Sequence, residues 1–75
     1  MVEKLLAIIN EILGENGKEP LQQVNGQLSL RSDLDFDSLS LAELTVRIED
    51  EFDVDIFEDG LVDKLEEVIE KIEKG

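Results

Sequence analysis

Apolar residues recur at helical spacing in three separate parts of the chain. In residues 2–13 they lie three and four positions apart, and Gly14 with Asn16-Gly17 supplies a stop signal behind them. Residues 38–52 and 63–74 repeat this spacing, so the pattern predicts three amphipathic helices. The expected inward residues are Val2, Leu5, Leu6, Ile9, Ile12 and Leu13 in the first helix, Leu41, Leu44, Thr45, Ile48 and Phe52 in the second, and Val62, Leu65, Val68, Ile69 and Ile72 in the third.

The second predicted helix has two candidate starts. Asp37 can cap a helix that begins at Ser38, because aspartate readily accepts a hydrogen bond from the first free N–H groups. Ser40 with Glu43 also matches a capping box, which would start the helix two residues later. The third helix has a cap candidate in Asp63, followed by Glu66.

Residues 15–36 lack a regular pattern, and Pro20, Gly26 and the Gln22-Gln23 pair argue against one. We expect a packed connector with room for a short helical turn. Apolar residues at intervals would hold it to the core, namely Leu21, Val24, Leu28, Leu30 and Leu34.

Residues 53–57 alternate like a short strand, but the chain offers no second strand to pair with them. We therefore expect a second connector, with Val54 or Ile56 buried. A turn should follow at residues 58–60, where Gly60 follows the acidic pair Glu58-Asp59.

The length allows one small domain, residues 1–75, and the three amphipathic helices make it all-α. With three phenylalanines and no tryptophan or tyrosine, the core must be mostly aliphatic. The chain has no cysteine and no histidine, which removes disulfides, thiolate metal sites and the commonest general base.

The charge is strongly negative, at −13 overall. Residues 33–59 contain eleven acidic residues and one basic residue, Arg47. Such a surface repels nucleic acids and anionic membranes and attracts basic protein surfaces. No targeting segment or membrane span is visible, so we expect a cytoplasmic protein. We also expect it to be a monomer.

The segment Asp33-Leu34-Asp35-Phe36-Asp37-Ser38-Leu39 places a serine at the predicted start of the second helix. Free N–H groups and the positive dipole end favour a phosphate ester there, although on spacing alone Ser38 could simply start the helix. The segment resembles the prosthetic-group site of acyl carrier proteins. Further matches to that family are Ala42-Glu43-Leu44, Ile48-Glu49-Asp50-Glu51-Phe52 and Asp55-Ile56.

The resemblance implies a fold and a function. The fold is a small four-helix acyl-carrier-type bundle with a long first loop and a short third helix that can be reduced to a turn. The function is to hold acyl intermediates as thioesters on a 4′-phosphopantetheine arm attached to Ser38, between Asp37 and Leu39. The chain would not be an enzyme, and a phosphopantetheinyl transferase would load it from coenzyme A with magnesium. The implied pathways are fatty-acid, lipid or polyketide-type biosynthesis.

The resemblance also implies a docking face for acyl-loading and acyl-consuming enzymes with basic patches. Leu39 and Val46 would supply apolar contacts on that face. Its charge would come from Asp35, Asp37, Glu43, Glu49 and Asp50.

Three positions depart from the family pattern. Asp35 stands where many members have glycine, although aspartate enters the left-handed region more readily than most residues. Residues 57–61 are shorter than the usual segment of the third helix. Arg47 puts a positive charge within the acidic face.

Other functions stay open from the residues alone. Within the carrier class, the alternative is an aminoacyl, peptidyl or D-alanyl carrier. From a different class, the alternative is an acidic helical binding module without a prosthetic group. We reject a calcium-binding EF-hand: Asp33, Asp35 and Asp37 fit its first ligand positions, but Ser38 and Leu44 replace the required glycine and glutamate. We predict no dedicated metal site.

Overall fold

Three helices form the regular structure of the described chain. The computed structural model describes residues 1–58, 60 and 62–74, in which α1 spans Val2–Glu15, α2 spans Ser38–Phe52 and α3 spans Leu65–Lys74. Within these residues the only β-type pairing is an isolated bridge between Ser29 and Lys64. The prediction of a small all-helical bundle is therefore confirmed.

In the segment where the resemblance implies a short third helix, the described residues 56–58 form a turn. The Glu58 N–H donates to the Asp55 carbonyl at 3.3 Å, which closes this turn. Asp59, in the middle of the turn predicted at residues 58–60, lies outside the described residues.

The apolar faces of the three helices meet in one buried cluster. Its fully buried side chains include Leu5 and Ile9 of α1 and Leu44 and Ile48 of α2. Val2 was expected in this cluster, and that prediction is wrong because the first turn of α1 buries nothing before Leu5. The remaining cluster members are Ile12, Leu13, Leu30, Leu34, Phe36, Leu41, Ile56, Val62, Leu65, Val68 and Ile72.

The end of α1 and the bounds of α2 are set by local hydrogen bonds. α1 continues two residues past its predicted end, and the Asn16 N–H donates to the Ile12 carbonyl at 3.2 Å. α2 has the predicted bounds. It stops at Asp53, whose left-handed backbone (φ 58°, ψ 40°) directs its N–H to the Glu49 carbonyl at 2.8 Å.

The start of α3 differs from the prediction. The helix begins at Leu65, not at residue 63, and Asp63 does not cap it. Both carboxylate oxygens of Asp63 instead accept from the buried Ser29 hydroxyl at 2.8 Å. Glu67 takes the reciprocal role in the cap, because its side chain accepts from the Lys64 N–H at 3.1 Å. Asp63 cannot cap α3 because its carboxylate binds Ser29 of the long connector.

That connector runs beside the beginning of α3. The Glu66 N–H donates to the Gly26 carbonyl at 3.0 Å, and the Leu65 N–H donates to Leu28 at 3.0 Å. A Cβ on Gly26 would lie 3.0 Å from the Glu66 Cβ, so only glycine allows this approach without a shift. The connector thereby joins α3 to the rest of the bundle.

The connector also holds the short helical turn for which its sequence had room. The Asp33 N–H donates to the Ser29 carbonyl at 3.0 Å across that turn. Leu30 and Leu34 are buried as predicted, and Leu21, Val24 and Leu28 pack against the core while half-buried. Phe36 is also buried, which the sequence analysis missed. In the second connector, either Val54 or Ile56 was predicted to be buried, and Ile56 is fully buried.

None of the helices in the described ranges has the length and apolar content needed to cross a membrane.

Candidate functional site

The backbone just before α2 is held by Lys18. Its ammonium donates to the Leu34 carbonyl at 3.1 Å and to the Asp35 carbonyl at 2.6 Å. It also lies 3.6 Å from the Asp35 carboxylate. Asp35 has a φ of 54°, so the left-handed backbone expected at the position where many family members have glycine is present. The ammonium therefore ties the left-handed turn to the segment that follows α1.

Asp37 caps α2. Its backbone is extended and its Oδ1 accepts from the Ser40 N–H at 2.8 Å. This bond lowers the pKa of the Asp37 carboxyl below its ordinary range, and the Ser40 side chain adds to the effect. The choice between the two candidate helix starts is thus settled in favour of Asp37.

Ser40 has a different role from the one its sequence position suggested. It lies inside the first turn of α2 and is buried, and its hydroxyl accepts from the Asn16 amide at 3.0 Å. Asn16 follows α1 directly. This bond and the Lys18 contacts together connect the end of α1 to the start of α2.

Ser38 is the first residue of α2 and is exposed. Its hydroxyl is at the end of the helix where backbone N–H groups are free and the dipole is positive, which suits a phosphate ester. Leu39 beside it is 76% exposed, so the surface around the serine is open to solvent.

An apolar groove of about 480 Å³ opens beside Ser38. Leu41 and Val46 line it from α2, and Phe57 lines it from the second connector. The other lining residues are Arg31, Ala42 and Thr45. Sequence reasoning missed this groove, because its walls come from parts of the chain that are distant in sequence.

The predicted docking face is mostly exposed. Val46 is 67% exposed, and Asp35, Glu49 and Asp50 are exposed as well. Asp37 is exposed too, although its carboxylate is engaged as the helix cap.

Glu43 is the exception on this face. It is half-buried and lies 2.8 Å from the Arg47 guanidinium. The neighbouring Glu15 carboxyl is the main cause that lowers the pKa of Glu43, with Arg47 contributing, and Glu43 in turn raises the pKa of Glu15. The negative charge of Glu43 is therefore largely engaged by Arg47 within the protein.

Arg47 joins α1 to α2 instead of standing alone in the acidic face. Its guanidinium pairs with Glu11, with Glu15 at 3.1 Å and with Glu43. These carboxylates raise the pKa of Arg47, with Glu43 the largest cause. The third departure from the family pattern thus has a structural role.

The aspartates compared with a calcium loop each have their own partner in the protein. Asp33 accepts from the Ser29 N–H at 2.7 Å, Asp35 pairs with Lys18, and Asp37 caps α2. Across residues 1–58, 60 and 62–74, no group of three or more acidic side chains is arranged to hold a metal ion.

Comparison with known proteins agrees with this geometry. The family described as "phosphopantetheine attachment site" matches residues 3–71, which include Ser38, the whole of α2 and most of α1 and α3. The chain therefore belongs to the phosphopantetheine-binding family of acyl carrier proteins, and phosphopantetheine is the prosthetic group of that family.

One curated relative is itself a carrier protein. The chain is 38% identical to the acyl carrier protein of Thermobifida fusca (strain YX) over 76 residues, which cover 99% of this chain and 91% of the relative. No solved structure matches significantly.

Proposed function

We propose that this protein carries acyl intermediates as thioesters on a 4′-phosphopantetheine arm attached to Ser38. The observation that carries the proposal is an exposed serine at the capped start of α2, inside the part of the chain that matches the phosphopantetheine family. The relative's name, acyl carrier protein, favours acyl groups over aminoacyl, peptidyl or D-alanyl groups as cargo.

The attachment reaction needs little from the protein itself. The Ser38 oxygen forms a bond to the phosphorus that links pantetheine to the rest of coenzyme A. The adenosine bisphosphate part of coenzyme A leaves, and a base on the transferase takes the hydroxyl proton. The chain has no histidine or cysteine to activate the serine, so the transferase and its magnesium must supply the catalysis. A carrier without catalytic activity of its own fits this composition.

We propose that the exposed face of α2 docks onto basic patches of the transferase and of acyl-loading and acyl-consuming enzymes. Leu39 and Val46 would supply apolar contacts, with the exposed carboxylates of Asp35, Glu49 and Asp50 around them. Glu43 and Asp37 belong to the same face, but Arg47 and the Ser40 N–H already engage them. Charge complementarity of this type speeds encounter more than it tightens a complex, which suits a shuttle.

The wider context is proposed on the same basis. Fatty-acid, lipid or polyketide-type biosynthesis is the setting in which such a carrier works, as a cytoplasmic monomer without nucleic-acid or membrane partners. The charge of −13 supports the exclusion of polyanionic partners.

The test is intact mass before and after incubation with coenzyme A, magnesium and a broad-specificity phosphopantetheinyl transferase. The wild type should gain one phosphopantetheine, and Ser38→Ala should gain none. Ser32→Ala is a matched control, because Ser32 is also exposed but lies outside α2. Equal gains in wild type and Ser38→Ala would contradict the assignment. No gain in folded wild type without an arm would favour the acidic binding module.

A further inference from the structure

One cationic side chain lies at the groove beside Ser38. Arg31 belongs to the short turn of the connector and is exposed. It lines the same groove as Ser38, and it is the only charged residue among the described residues that do so. In a chain with 20 acidic and 7 basic residues, a positive charge at this position calls for an explanation.

The Arg31 guanidinium has no ion pair or hydrogen bond to the part of the chain that the structure describes. Only its backbone N–H is engaged, weakly, at 3.4 Å from the Asp63 carboxylate. Lys4, Lys18 and Arg47, by contrast, all pair with carboxylates. Arg31 is thus available to a ligand.

We propose that Arg31 binds the phosphate of the prosthetic group on Ser38 and holds the start of the arm at the mouth of the apolar groove. This inference rests on the proposed attachment at Ser38. It adds a specific binding residue of this chain, located in the connector and outside the Asp37-Ser38-Leu39 motif.

Proximity favours the phosphate as the ligand. The phosphorus would be bonded directly to the Ser38 oxygen. The phosphate must therefore lie beside the groove that Arg31 also lines. The thiol and its cargo lie at the opposite end of a flexible arm and have no comparable constraint. A planar guanidinium also matches two phosphate oxygens at once, which strengthens the pair.

Charge gives the contact a function. The phosphodiester adds a negative charge close to Asp35 and Asp37, in the most acidic part of the chain. The α2 dipole offsets part of that repulsion, and Arg31 would offset more. Fixing the phosphate would also direct the arm along Leu41, Val46 and Phe57, the apolar residues of the groove.

The experiment compares apo and loaded forms of wild type, Arg31→Gln, Arg31→Lys and Lys64→Gln. Lys64→Gln is the charge-matched control, because Lys64 is exposed and does not line the groove. Intact mass first verifies one arm on each variant and none on Ser38→Ala. Nuclear magnetic resonance then records the Arg31 Nε–H signal and the phosphorus signal of the arm, and thermal unfolding records the effect of loading.

On loading, the Arg31 Nε–H signal of the wild type should shift. The phosphorus signal of Arg31→Gln should differ from that of the wild type, and Lys64→Gln should match the wild type. Arg31→Lys should fall between, since lysine keeps the charge but not the planar fork. The change in thermal midpoint on loading should become less favourable in Arg31→Gln, and this difference should shrink at high salt.

An unshifted Arg31 Nε–H signal, with identical phosphorus signals in all variants, would overturn the phosphate contact while leaving attachment at Ser38 intact. Failure of the mass test would instead overturn the attachment itself and the Arg31 proposal with it.

Discussion

Single polar residues determine how Ser38 is presented. Asp37 caps α2, Lys18 holds the left-handed turn at Asp35, and Asn16 reaches the buried Ser40 hydroxyl. The two contacts to Ser40 are partly buried, where leaving a polar group without a partner is costly. The start of α2 is therefore well defined although the long connector precedes it.

We expect Asp37→Ala to lower the thermal midpoint clearly and Asp37→Asn to lower it less, because asparagine can still accept from the Ser40 N–H. The pKa of Asp37 is lowered in the folded state from its ordinary value of 3.8. The charged carboxylate therefore stabilises the fold fully above that value, and its contribution is lost as the pH falls through the folded-state pKa.

Thermal unfolding of wild type and Asp37→Asn over a pH series measures this contribution. The wild-type advantage should be present at neutral pH and disappear in acid. A gap that stays constant down to the lowest pH would show that ionisation of Asp37 does not contribute.

At the scale of elements, α1 and α2 pack along their apolar faces and carry an ion-pair cluster at their edge. Leu5 and Ile9 of α1 and Leu44 and Ile48 of α2 are fully buried, while Arg47 bridges the same two helices. The apolar contacts dominate this packing, since ion pairs with exposed carboxylates contribute little to stability.

Leu44→Ala should lower the free energy of unfolding by about 2–5 kcal/mol, because it leaves a cavity at a fully buried position of α2. Leu39→Ala is the matched control on the same helix, since that leucine is 76% exposed and should change stability by no more than about 0.5 kcal/mol. Urea denaturation measures both. Equal losses in the two variants would contradict the assignment of the buried face.

At the scale of the whole molecule, the dominant property is the charge of −13 on a body about 30 by 23 by 23 Å. Charges of one sign at this density repel each other in the folded state and attract basic surfaces of partners. Salt screens both effects, so it should stabilise the fold and weaken docking.

We therefore expect a basic phosphopantetheinyl transferase to modify the protein more slowly as salt concentration rises, while the free energy of unfolding increases. Steady-state rates against ionic strength, with denaturation under the same buffers, separate the two responses. The stability series is the control, because it excludes unfolding as the cause of slower modification. A modification rate independent of salt would refute electrostatic docking.

Local sequence information predicted most of the regular structure. The bounds of α2 followed from a cap residue and fifteen residues of helical periodicity. The serine at its start was singled out by the resemblance of its segment to the prosthetic-group site of acyl carrier proteins. Capping and periodicity depend on residues within one or two turns of each other, so they are visible in the chain itself.

The tertiary structure alone decided what depends on contacts between distant residues. Asp63 looked like a helix cap, but Ser29, thirty-four positions away, takes its carboxylate. Arg47 looked like an isolated positive charge in the acidic face, but it pairs with Glu15 of α1. Arg31 and Ser38 line the same groove together with Phe57, although the three residues are separated in the sequence. These contacts depend on how the connector folds back onto the helices. Periodicity along the chain carries no information about the course of the connector in space.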